Sequence, residues 1–443
     1  MLRSQINAVI QKWKSSAGFK STVVLIVLGG VSQLLGMTRD ILMADKIGVG
    51  QTLDIYYASF KVGDFIYATL ISIVAGVTII PLLSKSIHDK NWDELSHKYS
   101  SIFNFFVIIT LLMCGIAYIF MPEIIGIIFS HTDADWQYKV SFLSRIMLVQ
   151  PILLNLSNIF STLAMAENKF LAYAVAPLFY NVGIILGVLV LYDKYGERGL
   201  VWGVILGAVM HVMVQSYSFF KSKVKLKLFA IDWKVVREEL GLAIPRSFSL
   251  VMLQVRAIFI ASMSTALGAG VLTAYTFANN FFMIPATAIG ASFITVAFPK
   301  LSALYESHHL AEFYKRVYRD TKLLMIMAIP ITIIFYFGSN FIVSIIYPHI
   351  NHKEDVSMLL AGLSITLPLY VLSLYYIRAS FARRDAISPV IAQSVAVVTV
   401  IISVYILFKN NFGLLSIPYA FNISLFVEFF LMYFLFHYKE SRE

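Results

Sequence analysis

Of the 443 residues, 59% are hydrophobic and 14% charged, and the formal net charge is +10. A bilayer core about 30 Å thick takes ~20 apolar residues per helical span, and about twelve such runs follow one another along this chain. The longest loops, at 84–100, 221–240 and 300–320, have no room for a water-soluble catalytic domain, and the single cysteine, Cys114, excludes an intrachain disulfide and a cysteine metal cluster.

In chain order, residues 1–20 mix Leu, Ile, Val and Trp with lysines, as expected of a cytoplasmic interfacial segment leading into an uncleaved span. Spans are predicted at 21–44, 54–84, 101–121, 138–164, 170–192 and 199–220, then at 241–265, 268–299, 321–347, 356–380, 387–408 and 413–436. Span 1 carries Ser32, Gly36 and Arg39 on one face, with Asp40 adjacent. Arg39 sits about 27 Å along a helix that begins at residue 21, so it either faces the interior or snorkels to the outer surface. In span 2, Asp54, Tyr57, Lys61 and Asp64 form one polar stripe, with Lys61 and Asp64 spaced to pair. Arg145 opens span 4, and span 7 holds Arg246 and Arg256, about 15 Å apart along the axis. Glu428, in span 12, has no partner nearby in sequence, which implies a wet cavity or a protonated carboxyl. Arg256 is expected to face the cavity and contact the substrate, the competing reading being a structural ion pair with Asp40, Asp54, Asp64 or Glu428.

Each ionisable group inside a span costs about 2.5–3.5 kcal/mol on insertion scales, so these residues are the candidate functional groups. The set Arg39, Lys61, Arg145, Arg246 and Arg256, with Tyr57 on the span 2 stripe, leans cationic. Guanidinium forks suit phosphate or pyrophosphate, which points to an anionic substrate. Asp40, Asp54, Asp64 and Glu428 are the candidate coupling sites for Na+ or H+, with membrane potential as the other energy source. No phosphate-binding glycine loop and no His-Glu-x-x-His pattern occurs. His308 and His309 beside Glu306 read as a solvated loop, and Asp133 with Asp135 is a weak signal for a glycosyltransferase base. Neither an enzyme, a metal nor a cofactor is therefore expected. The basic run from Lys221 to Lys227 reads as a topology determinant rather than a nucleic-acid or anionic-lipid site.

With both termini inside, 24 basic residues fall in cytoplasmic segments and six outside, as the positive-inside rule demands. The chain also repeats a plan. Arg39, Gly48-Val49-Gly50 and Pro81 are matched by Arg256, Gly268-Ala269-Gly270 and Pro299, with Arg-to-Pro spacings of 42 and 43. The expected fold is an all-α polytopic bundle of two six-helix lobes around a central cavity: 21–220, a basic cytoplasmic linker at 221–240, and 241–443.

Several stretches resemble the MurJ/MviN family, lipid II flippases of the multidrug/oligosaccharidyl-lipid/polysaccharide exporter superfamily. They are Ser32 to Asp40, Asp54 to Lys61, Arg145-Ile146-Met147, Glu167 to Phe170, Ala176 to Asn181, and Ala379 to Asp385 followed by Ser388-Pro389. By this resemblance only Arg39 of the family's cavity arginines would be retained, with Gln33, Tyr67 and Asn280 where the others would be and Arg256 as a local gain, and the two C-terminal helices that line a lipid-tail groove in many members would be missing. The resemblance implies a monomeric flippase in the bacterial inner membrane, moving a polyprenyl-pyrophosphate-linked glycan by alternating access. That glycan would be lipid II or a repeat unit for O-antigen, capsule or exopolysaccharide, with membrane lipids as the other partners and no nucleic acid. The alternatives are a cation-coupled multidrug antiporter of the same superfamily and a membrane-embedded glycosyltransferase or polymerase.

Overall fold

The computed structural model describes residues 17–74, 79–167 and 169–440. Most of the expected segment 1–20 lies outside the described residues; its last four begin the first helix.

Among the described residues the chain forms helices only. They are α1 (Ala17–Lys46), α2 (Gln51–Val74), α3 (Ile79–His88), α4 (Trp92–Ile119), α5 (Met121–Ile128), α6 (Ala134–Met147), α7 (Val149–Ala166) and α8 (Phe170–Leu186). A π turn (Gly187–Leu191) joins α8 to α9 (Tyr192–Tyr195), followed by α10 (Glu197–Phe220), α11 (Trp233–Ala266), α12 (Val271–Glu306) and α13 (Leu310–Ile346). The last four are α14 (Lys353–Ser364), α15 (Leu367–Ala382), α16 (Ile387–Lys409) and α17 (Ser416–Glu440). Among the described residues, seven helical stretches are long and apolar enough to cross a membrane, and α14 with α15, bent by 49°, makes an eighth when taken as one broken span. The short α5, begun by Pro122 in its first turn where no amide is needed, lies between two predicted spans.

The helices gather into two compact units that do not follow chain order. One comprises residues 1–42, 70–119 and 143–243; the other comprises 43–69, 120–142 and 244–443.

In the first unit α8 and α10 meet through glycine. A Cβ added at Gly187 would lie 2.7 Å from the Cα of Gly203, and one at Gly203 would lie 2.5 Å from the Cα of Gly187. Gly183 faces the backbone of Gly207, and Gly199 that of Leu191. Small residues at four-residue spacing let two backbones approach closely, which is how helices associate where lipid removes the hydrophobic drive. Nearby, Tyr99, Phe103, Phe160 and Phe219 stack with ring centroids 4.9–6.3 Å apart. The basic linker is tied down: the amides of Lys225, Lys227 and Asp232 each donate at 3.0 Å to Ser96, Ser100 and Ser101 of α4, and Asn104 donates to the carbonyls of Lys227 and Ala230.

In the second unit α16 packs along α17, and α12 packs against α14 and α15. The turn before α16 holds a buried charged knot. Arg383 donates to Tyr314 Oη and to the carbonyl of Phe436, over whose ring it lies, while Lys439 reaches Asp385 at 2.8 Å. Asp385 caps α16 by accepting from the amides of Ile387 and Ser388 and from the Ser388 hydroxyl.

Candidate functional site

The first cluster joins two stretches of sequence in the first unit. Arg39, near the end of α1, turns its guanidinium back onto its neighbour: Nε and Nη2 donate to Asp40 Oδ1 at 2.9 and 2.8 Å. Its Nη1 lies 3.5 Å from the Oδ1 of Asn181 on α8. Asn181 in turn donates to the carbonyl of Pro177 at 3.1 Å and to both oxygens of Ser32 at 3.3 Å. Gly36 gives the amide room, since a Cβ there would lie 3.7 Å from Asn181 Oδ1. Asp40 is buried while the Arg39 side chain is 22% exposed, so the charged pair is anchored on the carboxylate side and reachable on the guanidinium side.

Arg145 is elsewhere in the same unit. Its Nε donates to the carbonyl of Tyr118 at 3.0 Å and the guanidinium lies over the Tyr118 ring, satisfying the C-terminal turn of α4. The side chain of Arg246 lies outside the described residues.

The span 2 stripe divides in the second unit. Asp54 is buried and accepts from the amides of Gly270 and Thr273 at 2.5 and 2.8 Å and from the Thr273 hydroxyl at 2.6 Å, so it caps α12 from 216 to 219 residues away. Asn351 completes this joint by accepting from the amide of Val49 and donating to its carbonyl, both at 2.8 Å. Gly48 and Gly270 adopt φ of 82° and 88°, and a Cβ on Gly270 would meet Val49 and Gly50. Tyr57 is packed, its hydroxyl on Met43 Sδ and its ring edge-on to Phe277. Lys61 is half-buried and lies three residues before Asp64 on α2.

Arg256 and Glu428 form the third cluster. Arg256 Nη1 donates to Glu428 Oε2 at 2.7 Å across 172 residues of sequence, both side chains are buried, and the guanidinium lies 5.4 Å from the Phe421 ring. The expectation of a wet or protonated Glu428 gives way to a buried ion pair, invisible locally because the partners sit on α11 and α17.

The structure thus brings Arg39 to Asp40 and Arg256 to Glu428, and leaves Arg145 and Asp54 at helix ends. Sequence reading missed Asn181 as the link between motifs, Thr273 and Asn351 as partners of the first turn, and a buried polar cluster in which Ser157 lies 2.7 Å from His211 Nδ1 and Gln150 donates to Tyr180 at 3.1 Å. Of these only Asn181 left a trace, as the last residue of a recognisable stretch.

A family model described as "Lipid II flippase MurJ" matches residues 43–441. A protein of Rhizobium tropici described as a probable lipid II flippase MurJ is 23% identical over 389 residues, 84% of this chain and 73% of that one. Among solved structures, the inward closed conformation of lipid II flippase MurJ superposes with a TM-score of 0.80 at 22% identity, over 93% of this chain and 87% of the other. An inward-facing multidrug resistance transporter of the MATE family, in the MOP superfamily, gives 0.77 at 14% identity, over 95% and 98%. At these identities the two superpositions establish the fold alone.

Proposed function

The chain belongs to the MurJ family of lipid II flippases, and from that premise we propose that it carries a polyprenyl-pyrophosphate-linked glycan, lipid II or a related precursor, from the inner to the outer leaflet of a bacterial inner membrane. It is a multi-pass membrane protein and a transporter rather than an enzyme. The observation that carries the reading is the family match over residues 43–441.

In this reading the pyrophosphate competes with Asp40 for the guanidinium of Arg39. A partly exposed fork held on one edge by a carboxylate, with Asn181 beside its other nitrogen, can exchange a single-headed partner for a doubly charged one without leaving its place. Proton or sodium binding at Asp40 would weaken its hold on Arg39 and favour the anion, which makes Asp40 the foremost coupling group. Asp54, Asp64 and Glu428 are the remaining candidates and membrane potential the other drive. Arg145, Arg246, Lys61 and Tyr57 are kept as further head-group contacts, and Arg256 acts through its ion pair. We place both termini in the cytoplasm and take the monomer as the working unit.

The test is mass spectrometry of lipids that co-purify with the protein, with transport followed in proteoliposomes. A retained polyprenyl-pyrophosphate glycan supports the proposal. Binding of organic cations with no lipid-linked glycan would overturn it in favour of an antiporter.

A further inference from the structure

The C-terminal turns of α12 and the N-terminal half of α13 line an open cleft of about 1010 Å³ that no part of the transport reading uses. Its wall carries Lys300, Lys315, Arg316, Arg319 and Lys322 against one carboxylate, Glu312. One of the guanidinium groups, that of Arg316, is held in place from behind, and that of Arg319 lies near the same carboxylate. Asp320, 1% exposed, accepts from Arg316 Nε at 3.1 Å and from the Tyr375 hydroxyl at 3.2 Å, and lies 3.6 Å from Arg319 Nε. Because Asp320 takes the Nε edge of Arg316, the terminal amino groups of that arginine are not engaged by it, and a planar fork with fixed orientation suits phosphate oxygens. Lys322 is steadied over the Tyr318 ring at 4.4 Å.

The same helix continues from this charged end into a bare apolar flank. Only 17% of the apolar stretch of α13 is buried, and Leu323, Ile326, Ile333 and Phe337 are exposed along it. From Lys322 to Ile333 the helix rises about 16 Å, close to one leaflet, half of a core about 30 Å thick. A phosphate-sized cationic cleft opening onto one leaflet's depth of apolar surface has the shape and polarity of an amphiphile. Topology alone would need only the number of these charges, not their convergence on one cleft.

We propose that this cleft is a binding site for an anionic glycerophospholipid of the surrounding membrane, whose phosphate sits among Lys315, Arg316 and Arg319 and whose acyl chains lie along α13. The site stands on unit-local geometry and does not rest on the identity of the transported glycan; the proposed orientation makes its leaflet the cytoplasmic one.

The experiment is native mass spectrometry of the full-length purified protein titrated with phosphatidylglycerol and, separately, with phosphatidylcholine. Phosphatidylglycerol should bind about tenfold tighter, and K315Q/R319Q, both exposed positions, should remove that preference, as expected for loss of charge-assisted hydrogen bonds. Glu312→Gln should strengthen binding, a gain that misfolding cannot mimic, while K223Q/K225Q in the other basic segment should change nothing. Equal binding of both lipids, or a K315Q/R319Q variant that keeps its preference, overturns the site. Displacement of the lipid by inorganic pyrophosphate at equal concentration would reveal a small-anion site and overturn the lipid assignment. Loss of a polyprenyl-pyrophosphate glycan but not of phosphatidylglycerol from K315Q/R319Q would assign the cleft to the substrate and likewise overturn it.

Discussion

At the scale of single residues, what a charge does depends on whether its partner leaves it accessible. Arg39 remains reachable beside Asp40, so Arg39→Ala should abolish transport in proteoliposomes with protein yield near normal. Arg39→Lys should restore little, since an ammonium supplies charge without the fork; full activity of either variant would remove Arg39 from the mechanism. Arg256 is the opposite case. With both side chains buried against each other, Arg256→Gln strands Glu428, and losing one partner of a buried pair costs about 3–5 kcal/mol. The double variant Arg256→Met with Glu428→Leu should recover most of that in thermal unfolding, because an apolar replacement leaves no buried charge behind. If the double variant is stable yet fails to bind a polyprenyl-pyrophosphate glycan, the pair serves the substrate as well. The sequence showed both groups as costly intrusions into apolar runs. It could not pair them, because adjacency across 172 residues is set by how α11 packs on α17.

At the scale of elements, the decisive contacts are helix ends and helix crossings. Asp54→Ala removes three hydrogen bonds from the first turn of α12, and loss of a cap of this kind costs about 1–2 kcal/mol. It should lower the unfolding temperature and speed thiol labelling of a cysteine placed at buried Ile350, next to Asn351 of the joint; unchanged labelling would mean that the joint does not hold that loop. For the crossing of α8 and α10, Gly203→Leu should eliminate folded protein, whereas Gly115→Leu, where nothing lies within 4 Å, should be tolerated. Comparing the two yields by gel filtration separates a packing effect from a general intolerance of bulk. At the cap of α16, burial pushes the Asp385 carboxyl up, but Lys439 and the Ser388 hydroxyl and amide outweigh it and hold the pKa below the usual 3.8. A depressed folded value means the contribution is present above about pH 4 and is lost as pH falls through the folded value. The difference in unfolding temperature between wild type and Asp385→Asn should therefore shrink in acid. The glycine spacing and the Asp-x-x-Ser pattern were both present in the sequence, yet neither declares itself without the neighbour it touches.

At the scale of the whole molecule, the proposed orientation rests on 24 basic residues against six. Cysteines at Lys194 and Lys353 should react with an impermeant thiol reagent from the periplasm and one at Lys225 should not; the reverse pattern would invert the proposed direction of transport. The sequence by itself determined that the chain is a membrane helical bundle, because apolar length is a local property that bilayer thickness reads directly. It also determined the family, through short stretches such as Ser32 to Asp40, and the presence of a few charges where charges are costly. Only the tertiary structure decided which charges are opposed and which are open. Arg256 to Glu428, Asp54 to α12, Val49 to Asn351 and Arg39 to Asn181 are contacts between groups far apart in sequence. Their energies depend on distances of a few ångströms, and helix packing sets those distances where no local periodicity can.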